Sequence, residues 1–299
     1  MDLSCVAEEL GGELVSCKRL GGLANEAYRL EVRGSGGIAR YAAKVYFGRD
    51  AKLKAVREYS LYAVAPSFGL GAPKVVLKDF EGRLVGRPLL AWEWIEGVKC
   101  EDQLKKTLLT ARLVGAGLAR FHEIPYERVN VAPPAEGFWM REIESVRFLL
   151  KLSNLSVHPS LLQPPESEEV ALLHGDYNPG NLLLSSGKLY VMDAESLSAG
   201  DPLYDVAYAF AFLWASNVRA AEKFAAEYFA LTGREMRGLA KLVRLVALKL
   251  YCMLSFPAMR SYLRWKLGAA YPLAELLFLN RFRKLLLELS QPGGLLVGG

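Results

Sequence analysis

The chain has 299 residues, 52% of them hydrophobic, which suffices for one large domain or two lobes with a substantial core. Its net charge of +5 suits a phosphate-bearing ligand or a plain solvated surface, and no dense basic stretch with interleaved aromatics marks a nucleic-acid partner. The longest apolar run, 206–215, is too short to span a bilayer, and the acidic opening MDLSCVAEELGGEL lacks the order of a signal peptide, so no membrane partner is expected.

The first hundred residues read mainly as strands. Segments 13–20 and 27–33 flank a glycine-containing turn, GGLANE, at 21–26, and IARYAAKVYF follows a GSGG turn as a third strand. The stretch 51–65 has helical spacing, with Leu53, Val56, Leu61 and Ala65 near one face, and Pro66 with Gly69 and Gly71 ends it. KVVLKDF and RPLLAWEWI are two more strands across an EG turn, and Gly97 closes the second. From 101 onward the spacing turns helical: 103–122, 137–153, 202–217, 219–231, 234–255 and a last helix near 273–289. There is no internal repeat. The expected architecture is therefore α+β: a small antiparallel five-stranded lobe with one helix over 1–96, and a mainly helical lobe over 97–299. Cys5, Cys17, Cys100 and Cys252 form no C-x-x-C pair, which predicts structural thiols and a cytoplasmic setting. Oligomeric state is not legible.

Chemistry concentrates in a thirty-residue window holding four of the eight aspartates, Asp176, Asp193, Asp201 and Asp205. HGDYNPGN, 174–181, matches H-x-D-x-x-x-x-N, in which the Asp accepts a substrate hydroxyl proton and the Asn holds Mg²⁺. Twelve residues after Asn181, Asp193 ends the apolar strand LYVMD, where a second hard-oxygen ligand belongs. Asp and Asn are also common turn and cap residues, so each alone has a bland reading. His174, after ALL, is expected to be a buried, hydrogen-bonded packing residue. In the first lobe YAAKVYF places Lys44 mid-strand among apolar neighbours, where an unpaired ammonium is costly. Glu58 is the only glutamate between Lys44 and Phe80, and it lies in the intervening helix. A strand Lys paired with a helix Glu holds the α- and β-phosphates in kinases. The loop Gly21-Gly22-Leu23-Ala24-Asn25-Glu26 offers backbone N–H groups to phosphates, though it also reads as an ordinary hairpin turn.

With HGDYNPGN, the D-x-E of Asp193-Ala194-Glu195 and GDPLYDVA at 200–207, the chain resembles the aminoglycoside phosphotransferase and choline kinase-like family, small-molecule kinases with the bilobal protein-kinase fold. The resemblance runs from the loop near Gly21 to the helix after Asp205. It implies ATP and Mg²⁺ as cofactors, Asp176 as catalytic base, and Asn181 and Asp193 as metal ligands. It implies cofactor contacts from Gly22, Asn25 and Lys44, with Glu58 orienting Lys44. AWEWIEG, 91–97, resembles the interlobe hinge, so the backbones of Glu93 and Ile95 are expected to meet the adenine. Asp205 is expected to brace the catalytic loop. Two departures stand out: Ala194 where an aromatic is usual, and two tryptophans in the hinge, for which core is the expected fate.

Only seven residues separate Asp193 from Asp201, and A-P-E is absent, so a long peptide-binding activation segment has no room. A small-molecule hydroxyl acceptor is expected, held by the catalytic loop and the helices after 200, with Tyr204, Trp214, Tyr251 and Arg260 as unranked candidates. The basic character of 219–289 points to a neutral or acidic alcohol such as a sugar, an amino acid or a nucleoside derivative, with amino alcohols also in range. A protein kinase and a non-catalytic nucleotide-binding scaffold stay open as rivals.

Overall fold

The computed structural model describes residues 1–21, 25–131, 137–153, 157–163 and 169–255, with single positions at 261, 280 and 284. Strands β1 (Glu13–Gly21), β2 (Glu26–Gly34), β3 (Gly37–Val45), β4 (Val75–Asp79) and β5 (Leu89–Glu93) form one antiparallel sheet in the order β1-β2-β3-β5-β4. In β2, Tyr28, Leu30 and Val32 alternate with Arg29, Glu31 and Arg33, so one face is apolar. A short helix, α1 (Ser4–Glu9), covers that face and buries Leu3, Val6 and Ala7 against it. The sequence shows no signal for α1 because six residues are fewer than two helical turns and carry no readable period. Helix α2 (Ala51–Val64) covers the opposite face, packing Ala51, Ala55 and Tyr62 on Ala42, Leu90 and Trp92. Residues 42–45 of β3 are therefore buried on both faces.

After β5 the chain runs through 94–97 into β6 (Val98–Lys99) and the helical lobe. The helix expected over 103–122 is two pieces, α3 (Cys100–Gln103) and α4 (Leu109–His122). At the break Thr107 Oγ1 accepts from Leu109 N, a local turn that competes with continuation of the helix. Helix α5 is Phe138–Leu152. Strand β7 (Ala171–Leu173) leads into the HGDYNPGN segment, and β8 (Leu182–Ser185) with β9 (Lys188–Val191) follows as a hairpin that pairs with β6. Its two-residue loop, Ser186–Gly187, has φ of 48° and 75°, the left-handed pair that matches the twist of tight hairpins. Strand β10 (Ser198–Gly200) returns beside β7.

Helix α6 (Leu203–Ser216) is buried at every position except Phe212 and Ser216, as a helix apolar all round must be, so the run 206–215 is a core element. Helix α7 (Val218–Thr232) crosses α4 so closely that a Cβ on Gly115 would meet the Phe224 carbonyl at 2.5 Å. The helix expected from 234 begins only at Leu239, as α8 (Leu239–Ser255). Gly233 caps α7 at φ 66°, Gly238 sits at φ 85°, and Arg234 is drawn to Glu169 and the Tyr228 hydroxyl. Among the described residues no helix is long and apolar enough to cross a membrane. The helix expected near 273–289 lies outside the described residues. The α+β architecture is otherwise the expected one, a five-stranded sheet lobe beside a helical lobe.

Candidate active site

The register of the sheet sets the position of Lys44. It lies opposite Ala27 on β2 and Leu90 on β5, so these three share a face with Ala42, the face turned to α2. Glu58 is on the inward side of α2 and wholly buried. Lys44 Nζ donates to Glu58 Oε2 at 2.8 Å, and the Tyr46 hydroxyl donates to the same oxygen at 2.9 Å. The Tyr62 hydroxyl donates to Oε1 at 2.5 Å. Lys44 also donates to Asp193 Oδ1 at 2.5 Å and lies 3.3 Å from Glu195 Oε2. Burial alone would pull the Lys44 pKa down; Glu58, Asp193 and Glu195 reverse this and hold it above the usual lysine value. The Glu195 carboxyl is pushed up, chiefly by burial, against the pull of Lys44.

The HGDYNPGN loop hangs from Asp205. This wholly buried carboxylate accepts from His174 N at 2.6 Å and Gly175 N at 3.0 Å. That is the brace expected of it. Gly175 has φ of 78°, and a Cβ there would meet the Ser196 carbonyl at 2.9 Å, so the turn requires glycine. His174 is wholly buried, with Nε2 donating to the Met192 carbonyl at 3.0 Å and Nδ1 accepting from Asp176 N at 3.2 Å. It packs, as expected, and ties the loop to the strand before Asp193. Behind it, His122 Nδ1 meets the Tyr228 hydroxyl at 2.8 Å and Nε2 lies 3.5 Å from Asp205.

Asp176 is gripped on both oxygens: Asn178 Nδ2 donates to Oδ1 at 2.8 Å and Asn181 Nδ2 to Oδ2 at 2.9 Å. The Tyr208 hydroxyl of α6 faces the same carboxylate and acts on its pKa in the lowering sense. Burial pushes the Asp176 pKa up, while these hydrogen bonds oppose the rise. Asn181 and Asp193 are joined through the backbone by Met192 N, which donates to the Asn181 carbonyl at 2.9 Å. Asp193 sits at φ 61°, a left-handed conformation that an aspartate tolerates at a cost of about 1 kcal/mol. Its side chain remains 48% exposed, and burial and the Lys44 ammonium act on it in opposite senses, the ammonium prevailing to keep it ionised below the usual range.

These residues fit a magnesium ion by the chemistry of their donors. Asn181 uses its amide nitrogen on Asp176, which leaves its carbonyl oxygen Oδ1 as a hard donor, and the Asp193 carboxylate is a second. Two protein ligands leave the other positions to phosphate and water, the usual habit of Mg²⁺.

Of the residues expected to hold the nucleotide, Gly22 lies outside the described residues. Asn25 is buried, accepts from Phe47 N at 2.8 Å and donates to Glu195. Glu93 ends β5, and its N–H already donates to the Lys74 carbonyl at 3.1 Å, so of its backbone groups only the carbonyl is left for a base. Ile95 follows in the connection to β6, half-buried. Trp92 is core, with its ring edge-on to Tyr62; Trp94 is half-buried beneath the Arg29 guanidinium. Tyr204 and Trp214 are buried among the helices, and Arg260 lies outside the described residues. Sequence reasoning missed Tyr46, Tyr62, Tyr208 and the link from Asn25 to Glu195. Alternation along β3 does carry Ala42 as a partner of Lys44, and strand pairing adds Ala27.

Two outcomes follow. Lys44→Met leaves Glu58 buried without a cation, so urea unfolding of the nucleotide-free protein is expected to show a loss of about 3–5 kcal/mol; a loss below about 1 kcal/mol would mean that the two tyrosine hydroxyls suffice. Burial pulls the His122 pKa below the usual histidine value of 6.5, against the opposing hydrogen bond to Asp205. Below pH 6.5 the unfolded chain takes up a proton there that the folded chain refuses, so stability falls on acidification by up to about 1.4 kcal/mol per pH unit. Unfolding at neutral and mildly acidic pH should show a steeper fall for the native chain than for His122→Gln.

Residues 16–242 match the phosphotransferase enzyme family. No curated protein matches the chain. Among solved structures, the macrolide 2′-phosphotransferase of Brachybacterium faecium is 18% identical with a TM-score of 0.60, covering 93% of this chain and 97% of its own. An amicoumacin kinase in complex with AMP-PNP, Ca²⁺ and its ligand is 15% identical with a TM-score of 0.57, covering 95% and 92%. The choline kinase of Streptococcus pneumoniae is 19% identical with a TM-score of 0.54, covering 95% and 97%. These likenesses establish the bilobal protein-kinase-like fold, and the match over 16–242 establishes that the chain belongs to the phosphotransferase enzyme family.

Proposed function

We propose that the protein is an MgATP-dependent kinase that transfers the γ-phosphoryl group to a hydroxyl of a small molecule. The observation that carries this reading is the meeting, in one cleft, of a donor-gripped Asp176, the Asn181–Asp193 oxygen pair and the Lys44–Glu58 ion pair. In this reading residues 1–96 bind the nucleotide and 97–299 carry the catalytic loop and the acceptor. The Glu93 carbonyl and the Ile95 backbone meet the adenine, with Ala27, Ala42 and Met192 against its faces. Gly22 and Asn25 lie over the phosphates, and Lys44, steadied by Glu58, turns from Asp193 to an α- or β-phosphate oxygen. Asn181 and Asp193 would hold Mg²⁺, which when bound would supply charge neutralisation at the phosphates.

Asp176 then orients the acceptor hydroxyl. As its oxygen bonds to the γ-phosphorus, the bond to the β-phosphate bridging oxygen breaks, ADP leaves, and the hydroxyl proton passes to the Asp176 carboxylate. Asn178, Asn181 and Tyr208 fix the direction of that carboxylate. A small acceptor is favoured because β10 occupies Ser198–Gly200, leaving only 194–197 between the metal aspartate and the next paired strand. The basic character of 219–289 supports a neutral or acidic alcohol such as a sugar, an amino acid or a nucleoside derivative; an amino alcohol stays within the acceptor range but gains nothing from that charge. Four unpaired cysteines support the cytoplasmic setting.

The test is ADP release with MgATP over a panel of sugars, amino acids, nucleosides, choline-like amines, macrolides and aminoglycosides, beside Asp176→Asn. Turnover with one acceptor class, lost in the variant, is the expected result. Steady phosphorylation of protein with none of metabolites would replace this reading, and turnover of polycations alone would overturn the acceptor class.

A further inference from the structure

Away from the cleft, the turn Pro159–Leu162 and helix α8 enclose a groove of about 560 Å³. No hinge, catalytic-loop or metal-strand residue lines it. Its size is that of a pocket for a small molecule. Val157, Leu161 and Leu248 form apolar walls, and the charged groups are Lys241 and Arg244, three residues apart on one side of α8. Among the described residues no carboxylate lines the groove. Arg244 Nε is buried with no hydrogen-bond partner, a costly arrangement for a charged donor.

The contrast with neighbouring cations is what makes this a site. Lys249, further along α8, is matched to Glu142 at 2.7 Å, and Arg234 to Glu169 at 2.6 Å. Among the described residues Arg244, in the same lobe, is matched to no acid. Across the groove, His158 Nδ1 meets the Ser160 hydroxyl at 2.8 Å and accepts from Ser160 N, which leaves Nε2 carrying the proton as a further donor. The groove therefore combines a guanidinium fork, an ammonium and an imidazole N–H with an apolar wall.

We propose that this groove is a second ligand site, separate from the phosphoryl-transfer cleft, for a small molecule that joins an oxyanion to a short apolar body. A guanidinium and an ammonium one turn apart suit two oxygens of one phosphate or carboxylate, and the fork geometry is the particular contribution of arginine. The walls add affinity in proportion to the apolar surface covered.

Calorimetric titration with butyl phosphate, butyrate and inorganic phosphate tests this on the whole chain. The native protein is expected to bind one of the two butyl compounds about tenfold more tightly than inorganic phosphate, through the apolar wall. The double variant Lys241→Ala, Arg244→Ala should weaken that binding by about tenfold or more, and Arg244→Lys, which keeps the charge and loses the fork, by an intermediate factor. Preference for butyl phosphate marks a phosphate site and preference for butyrate a carboxylate site. Unchanged circular dichroism and unfolding midpoints establish that the variants are folded, and a misfolded double variant leaves Arg244→Lys as the deciding protein. Equal binding by native and variant proteins, or no binding of either butyl compound to the native protein, overturns the proposal.

Discussion

One buried ion pair organises the cleft. Lys44 and Glu58 meet at 2.8 Å with almost no exposure, and neither would be tolerated there alone. The pair joins the sheet to α2. Two tyrosine hydroxyls complete Glu58, so the carboxylate accepts three hydrogen bonds and its position is fixed from three sides. α2 is fixed in turn to the other lobe, because Arg57 donates to the Leu197 carbonyl at 3.2 Å and Asn130 donates to Ser60. The remaining hydrogen-bonding capacity of the Lys44 ammonium goes to Asp193 and Glu195, so one side chain connects β3, α2 and the segment after β9 that presents Asp193.

A second buried carboxylate does for the helical lobe what Glu58 does for the sheet. Asp205, one turn into α6, holds the backbone of His174 and Gly175, and His174 in turn holds the Met192 carbonyl. The loop bearing Asp176 is thus fixed by the Asp205 carboxylate on its backbone and by a buried histidine that ties it to the strand before Asp193. This division is economical in physical terms. Structural groups are fully buried and fully bonded, while Asp193 keeps nearly half its side chain open to the cleft. Asn25, bonded to Glu195 from the β1–β2 connection, spans the same cleft from above.

How much of this was legible depended on the range of the interaction. Lys44 and Glu58 were readable because a charge among apolar strand residues demands a partner and only one glutamate lay within reach. Asp176, Asn181 and Asp193 were readable because their spacing is local. Tyr46, Tyr62 and Tyr208 were not, since a tyrosine at helical or strand spacing looks like packing until its hydroxyl finds a carboxylate. The pairing of Ala171–Leu173 with Ser198–Gly200 was equally hidden, because three-residue strands carry no period. The helix expected over 103–122 is interrupted at 104–108, where the Thr107 hydroxyl accepts from Leu109 N, a local side-chain competition that periodicity does not register.

The account rests most heavily on the carboxylates around Lys44 forming a metal–phosphate site. Calorimetric binding of ATP with and without Mg²⁺, for the native protein and for Asp193→Asn, tests that directly. Binding should tighten by about tenfold or more with Mg²⁺ in the native protein, and the variant should lose that gain. ATP affinity indifferent to Mg²⁺ in the native protein, or a magnesium effect that survives intact in Asp193→Asn, would contradict the assignment of the site.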